Sequence, residues 1–147
     1  MKQVATVRKF AKLFLLVAFL IGLPAARASQ ADQAVKVTFS QDVQVPGRVL
    51  SAGTYWFVVP EFNERFEVEV FNADRTKLIT MFLTNDAQRA EANEHGVFTF
   101  AERGPSEPQA IMKWFYPGNT IGHEFVYPKQ LEKELAKDKH DTVVAGD

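Results

Sequence analysis

Cysteine is absent from the chain, so no disulfide staples the fold and no thiol serves as a nucleophile. Histidine is scarce. His95, His123 and His140 are the only three, and no two of them stand at an H-x-H or H-x-x-x-H metal spacing. There is no G-x-S-x-G elbow, no phosphate-cradling glycine loop, no internal repeat and no low-complexity segment. Long apolar runs are confined to one place, Leu13 to Leu23, whose 11 residues include Gly22 and fall short of the roughly 20 that span a bilayer. Together these absences remove the sequence signatures of thiol, serine-elbow and P-loop chemistry and of a membrane-spanning helix.

What surrounds that apolar run gives it a meaning. Lys2, Arg8, Lys9 and Lys12 precede it, Pro24 breaks it, and Ala26-Arg27-Ala28 fits the small-x-small cleavage rule. Residues 1–28 are therefore expected to be an export signal cleaved near Ala28, with a periplasmic or secreted product and no stable membrane anchor after cleavage. No cysteine follows the cleavage site to carry a lipid. Removing 28 of the 147 residues leaves 119, one domain's worth, long enough to bury a core without disulfides. Five of the 17 basic residues and none of the 18 acids lie in the leader, so the mature charge is 12 against 18, or −6. Such an acidic domain is a poor ligand for nucleic acid.

The remaining chain alternates short apolar runs with turn signals. Residues 29–34 form a polar leader, and Val35, Val37 and Phe39 alternate with Lys36 and Thr38 as a half-buried strand. Pro46-Gly47 has the chemistry of a type II turn between Val43–Val45 and Val49–Leu50. Thr54 to Val59 is β-branched or aromatic at every position and apolar on both faces, which predicts a strand covered on both sides. Phe66, Val68 and Val70 alternate with Glu67 and Glu69, and Asn72-Ala73-Asp74-Arg75 turns that strand into Lys77–Thr84, again apolar on both faces. Asn85 to Gly96 is polar and reads either as an open loop or as a short helix capped by Asp86. Val97–Phe100, Ala110–Tyr116 and His123–Tyr127 resume strand character, Gln130–Lys137 predicts a short helix, and the tail from Asp138 is expected to fray.

The fold class that follows is all-β, an antiparallel β-sandwich of about eight short strands with a short C-terminal helix, a closed β-barrel being the alternative. The β-domain is expected to span 35–129, followed by helix and flexible tail at 130–147.

Three pieces, VTFSQDVQVPGRVLSAGTYWF, VFNADRTKL and WFYPGNTIGHEFVYPK, resemble a family of small uncharacterised exported bacterial β-domain proteins. That family shares a P-G turn, an AGTYxF strand, an N-A-D-x-T hairpin turn and a C-terminal YPG…EFVYP segment. The resemblance covers most of Val35 to Lys129 and implies an exported β-domain. It brings no activity, cofactor or catalytic residue.

Four residues near the C-terminal end of the domain are the candidate ligand-binding set: Trp114, Tyr116, His123 and Glu124. Alternation sends Trp114 and Tyr116 to one face and Phe115 to the other, so the first pair offers a platform for a sugar ring, set against the plainer reading that both faces are core. His123 and Glu124 point to opposite faces of a strand and do not share one ion without a bulge. Glu67 and Glu69 stand roughly 7 Å apart on one face, a distance at which paired acids hydrolyse glycosides. Their alternation with Phe66, Val68 and Val70 reads instead as the wet side of an amphipathic strand. The function expected from these features is a non-enzymatic exported domain that binds or scaffolds, without cofactor, on an envelope protein or a small apolar or glycan ligand. The alternatives are a metal-dependent or hydrolytic enzyme using His123, and a carbohydrate-binding module using Trp114 and Tyr116.

Overall fold

The computed structural model describes residues 33–60 and 66–144. The predicted export signal (1–28) and residues 29–32 of the polar leader lie outside them.

Period-two alternation and turn chemistry place ten strands and one helix among the described residues. They are β1 (Gln33–Phe39), β2 (Val43–Val45), β3 (Arg48–Leu50), β4 (Gly53–Val59), β5 (Glu67–Asn72), β6 (Leu78–Gln88), β7 (Val97–Ala101), β8 (Gln109–Phe115), β9 (Ile121–Phe125), α1 (Lys129–Leu135) and β10 (His140–Val144). β2 and β3 meet across Pro46-Gly47, with Val45 opposite Arg48 and a φ of +74° at Gly47, the sign a type II turn requires. The β5–β6 turn is held by Asn72, whose side-chain oxygen accepts from the amides of Thr76 and Lys77, each at 2.9 Å. Asp74 accepts from the Thr76 hydroxyl at 2.7 Å, and that bond, then the Thr76 amide, holds its carboxyl below the usual range.

The strands run in the order β1-β4-β5-β6-β9-β8-β2-β3, with β7 and β10 branching from β8. The path does not close, so the sandwich and not the barrel is the architecture. β6 is the corner. Its first half pairs with β5 and Thr84–Gln88 pairs with β9, so one strand of 11 residues belongs to both layers. Between the layers lies the core, centred on Phe57. Its ring meets those of Phe39, Phe98, Trp114 and Phe125, at centroid distances of 6.1, 5.3, 6.1 and 6.4 Å. Edge-on and offset arrangements of this kind add to the burial of large aromatic areas.

Three expectations are corrected. The segment from Asn85 carries no helix: β6 continues to Gln88, and Asp86 lies opposite His123 instead of capping a helix. Ladder bonds to β9 and the burial of Thr84 and Ala87 outweigh the local capping preference. The tail does not fray at Asp138, because β10 pairs with β7 from His140↔Ala101 to Val144↔Val97. The described residues hold ten strands, not about eight, and the last of the expected ones ends at Phe125, leaving Val126 and Tyr127 outside the ladder. Truncation after Lys139 removes the cover of β7 and is expected to lower the thermal midpoint and induce edge-to-edge aggregation, read by light scattering during a melt. A truncated chain with an unchanged midpoint would show β10 to be dispensable.

Candidate functional site

Cross-strand register sets Asp86, His123, Trp114, Phe98 and Val143 in one row across five strands; its middle three meet the core and its ends, Asp86 and Val143, are exposed. Directly opposed residues share a face, so the row is a continuous strip of side chains. Trp114 stacks on Phe98 at 6.1 Å and 10°, and lies 5.6 Å from the His123 ring. It is 0% exposed. Of the two readings of this pair the plainer one holds and the sugar platform falls: Trp114 is a wall of the core, and Tyr116 is half-buried against the same cluster. The flanking expectation holds, since Phe115 lies on the opposite face in a small cluster with Ala87 and Val97.

His123 is 6% exposed, and its Nδ1 lies 3.2 Å from the Thr84 hydroxyl. Glu124 points the other way, half-exposed, opposite Asn85 and Lys113. The structure thus gathers Trp114, Tyr116 and His123 on the inner face and excludes Glu124. Among the described residues no three His, Asp or Glu side chains stand close enough to hold a metal ion. The buried Trp114 Nε1 has no hydrogen-bond partner among the described residues.

Two polar groups outside the candidate set stand out, Tyr127 buried and Arg89 half-buried. Tyr127 is 3% exposed, and its hydroxyl donates toward the carbonyls of Ile111 (2.7 Å) and Gln44 (2.9 Å). These lie where the short β2–β8 ladder ends and the β8–β9 ladder has not begun, so the hydroxyl ties β2 to β8 at that gap. Burial pushes the Tyr127 hydroxyl far above the usual phenol range, with Arg103 pulling weakly the other way. The folded state therefore holds this proton more tightly than the unfolded chain. Stability is complete below about pH 10 and declines as pH rises beyond it. Phenolate absorbance followed beside circular dichroism is expected to show Tyr127 ionising only with unfolding, and Tyr127→Phe to remove that late component. Ionisation of Tyr127 in the still-folded protein would contradict this. The second group is Arg89, which follows β6 directly. Its guanidinium lies 4.9 Å over the Phe115 ring, Nε donates to the Asn119 carbonyl at 2.8 Å, and burial lowers its pKa.

The other surface of note is the outer face of the β1-β4-β5-β6 layer. Two rows cross all four strands there: Lys36, Trp56, Phe71, Leu78 and Ala34, Val58, Glu69, Met81. Glu67 and Leu83 continue the second pair of strands. Trp56 is half-buried, donates from Nε1 to the Ala73 carbonyl at 3.1 Å, and has Lys36 Nζ and Arg75 Cζ each 5.8 Å from its ring. On the β6 side the face is open. Leu83 is 64% exposed, Met81 50% and Leu78 43%. Exposed Val126 is brought alongside by a backbone bond from its N–H to the Leu83 carbonyl. The second apolar face of Lys77–Thr84 is real, but nothing among the described residues covers it.

No family model, no curated protein and no solved structure matches this chain. The inner row has aromatic and polar groups engaged in packing. The outer face has four exposed apolar side chains flanked by acids on β5 and cations beside Trp56, a composition suited to docking a polypeptide surface.

Proposed function

We propose that this chain is an exported, non-enzymatic β-domain with a binding or scaffolding role in the cell envelope, acting through the outer face of β1-β4-β5-β6. The observation that carries the reading is the contiguous exposure of Leu78, Met81 and Leu83, with Val126 beside them. Contiguous apolar patches on one sheet face mark interaction surfaces, whereas single exposed apolar residues do not. The leader at 1–28 supports export, and the resemblance over Val35 to Lys129 points to the same class. The placement of His123 against Thr84 and of Tyr127 against two carbonyls supports structural duties for these groups.

The test is site-specific photo-cross-linking in the envelope. A benzophenone side chain in place of Leu83 is expected to give discrete adducts, and the same probe at exposed Lys133 on α1 none. Equal, diffuse labelling from both positions would remove the case for this face. Turnover on a hydrolase panel that disappears in His123→Ala would overturn the non-enzymatic reading.

A further inference from the structure

β10 is held to the fold by its backbone. Its side chains from His140 to Val143 are all exposed, and Val143 is 48% exposed although it shares a row with buried Phe98. Among the described residues the core ends, in chain order, at Leu135 of α1. What holds β10 is the ladder to β7, a bond from the Glu102 N–H to the Lys139 carbonyl at 2.8 Å, and one from His140 Nε2 to the Leu135 carbonyl at 3.0 Å. Elements with few buried apolar contacts open at far less cost than the core does. β7 is the reverse case. Its Val97, Phe98, Phe100 and Ala101 are buried, and its far edge is paired with β8. When β10 leaves, β7 stays in place and presents a bare row of amides and carbonyls, a template for another strand.

We infer that β10 is an exchangeable strand, and that the β7 edge accepts in its place β10 of a second copy of the chain. This edge lies apart from the outer face of β1-β4-β5-β6, and neither reading depends on the other. The occupant follows from the ladder itself. A second copy's β10 reproduces the register from His140↔Ala101 to Val144↔Val97 and again brings a Lys139 carbonyl to the Glu102 amide. The bonds given up lie in the hinge at 136–139: Lys137 N–H to the Glu134 carbonyl, Asp138 N–H to the Leu135 carbonyl, and the His140 ring to the same carbonyl. The hinge is open to solvent, so water replaces these bonds at little net cost. A hinge of four residues between the buried Leu135 and a strand favours exchange over a tight fold-back. Exchange is reciprocal about a two-fold axis, each copy giving and receiving one strand. It also stops there. Lys139 and Glu102 form a hydrogen-bonded pair, so alternation turns the Thr142 amide to the outer edge of β10, where the Asp141 side chain accepts it at 2.9 Å. That edge is thus partly closed from within, which disfavours growth into a fibre.

The chain has no cysteine, so single introduced cysteines report exchange cleanly. Thr99 and Thr142 stand directly opposite each other in a non-hydrogen-bonded pair, near enough for a disulfide. The experiment mixes Thr99→Cys and Thr142→Cys forms of the mature chain in native buffer and then oxidises them. A disulfide-linked heterodimer is expected, in a fraction that rises roughly in proportion to concentration while it is small. Neither variant alone should give it. The double variant Thr99→Cys/Thr142→Cys, oxidised at high dilution, is expected to close within one chain with unchanged circular dichroism. Hydrogen exchange on the wild type is expected to find β10 amides at least about tenfold less protected than those of β8. A mixture that stays monomeric while the double variant closes overturns the inference. Linkage of Thr142→Cys alone, which would set the second copy on the outer edge of β10, overturns it as well. A double variant that does not close removes the ladder and the inference together. Protection of β10 equal to that of β8 would mean that the strand leaves only on global unfolding, and also overturns it.

Discussion

Trp114→Ala is expected to lower the unfolding free energy by about 3–5 kcal/mol, the cost of deleting a large aromatic side chain from a packed core. Against a typical stability of about 5–15 kcal/mol, this brings the domain close to its threshold. The ring is 0% exposed and lies against Phe57, Phe98 and His123, so its removal opens a cavity at the centre of the sandwich. Trp114→Phe should cost markedly less. It keeps much of the ring contact and removes a buried indole N–H that has no partner among the described residues. Urea denaturation followed by far-ultraviolet circular dichroism decides between these, provided the m-value is unchanged. A Trp114→Ala midpoint equal to that of the wild type would return the ring to the surface and restore the carbohydrate-platform reading.

Gly122 is the second position where a small change is expected to be severe. It lies in β9 opposite Ala87, under the ring of Phe115. A Cβ there would sit 2.5 Å from Phe115 Cδ1 and press on the Trp114 backbone carbonyl. The Arg89 guanidinium lies over the same ring, which narrows the room it has to yield. Overpacking commonly costs about 1–3 kcal/mol, and a backbone atom that cannot rotate away puts Gly122→Ala at or above the top of that range. Gly122→Val is expected not to fold. Combining Gly122→Ala with Phe115→Ala relieves the ring clash but not the carbonyl contact. The double variant should therefore recover part of the loss from Gly122→Ala beyond additivity, measurable as a coupling energy in a double-mutant cycle. Strict additivity would show that the ring is not the obstacle.

Much of the architecture is legible one segment at a time. The alternation of Phe66, Val68 and Val70 with Glu67 and Glu69 sets inner and outer faces that the structure reproduces, with Val68 and Val70 fully buried. Pro46-Gly47 and Asn72–Arg75 mark their turns by local backbone chemistry, which requires no distant partner. Segments whose state depends on a neighbour are not legible in this way. Asn85–Gln88 is polar enough for a loop or a helix, and only the edge of β9 makes it a strand. His140–Val144 is a tail until β7 offers it a ladder. The candidate residues divide along the same line. That Trp114 and Tyr116 face away from Phe115 follows from strand parity, whereas the burial of Trp114 follows from Phe57 and Phe98 closing over it.

The sequence by itself determined the all-β class, the hairpin turns, the parity of each strand and the separation of His123 from Glu124, because each depends on residues a few positions apart. Only the tertiary structure decided that β6 bridges both layers, that Thr84 meets His123 across 39 residues, and that the second apolar face of Leu78–Leu83 stays open. A strand's pattern records which side chains share a face. Whether that face is covered depends on which other strands the chain brings against it, and this is a property of non-local pairing.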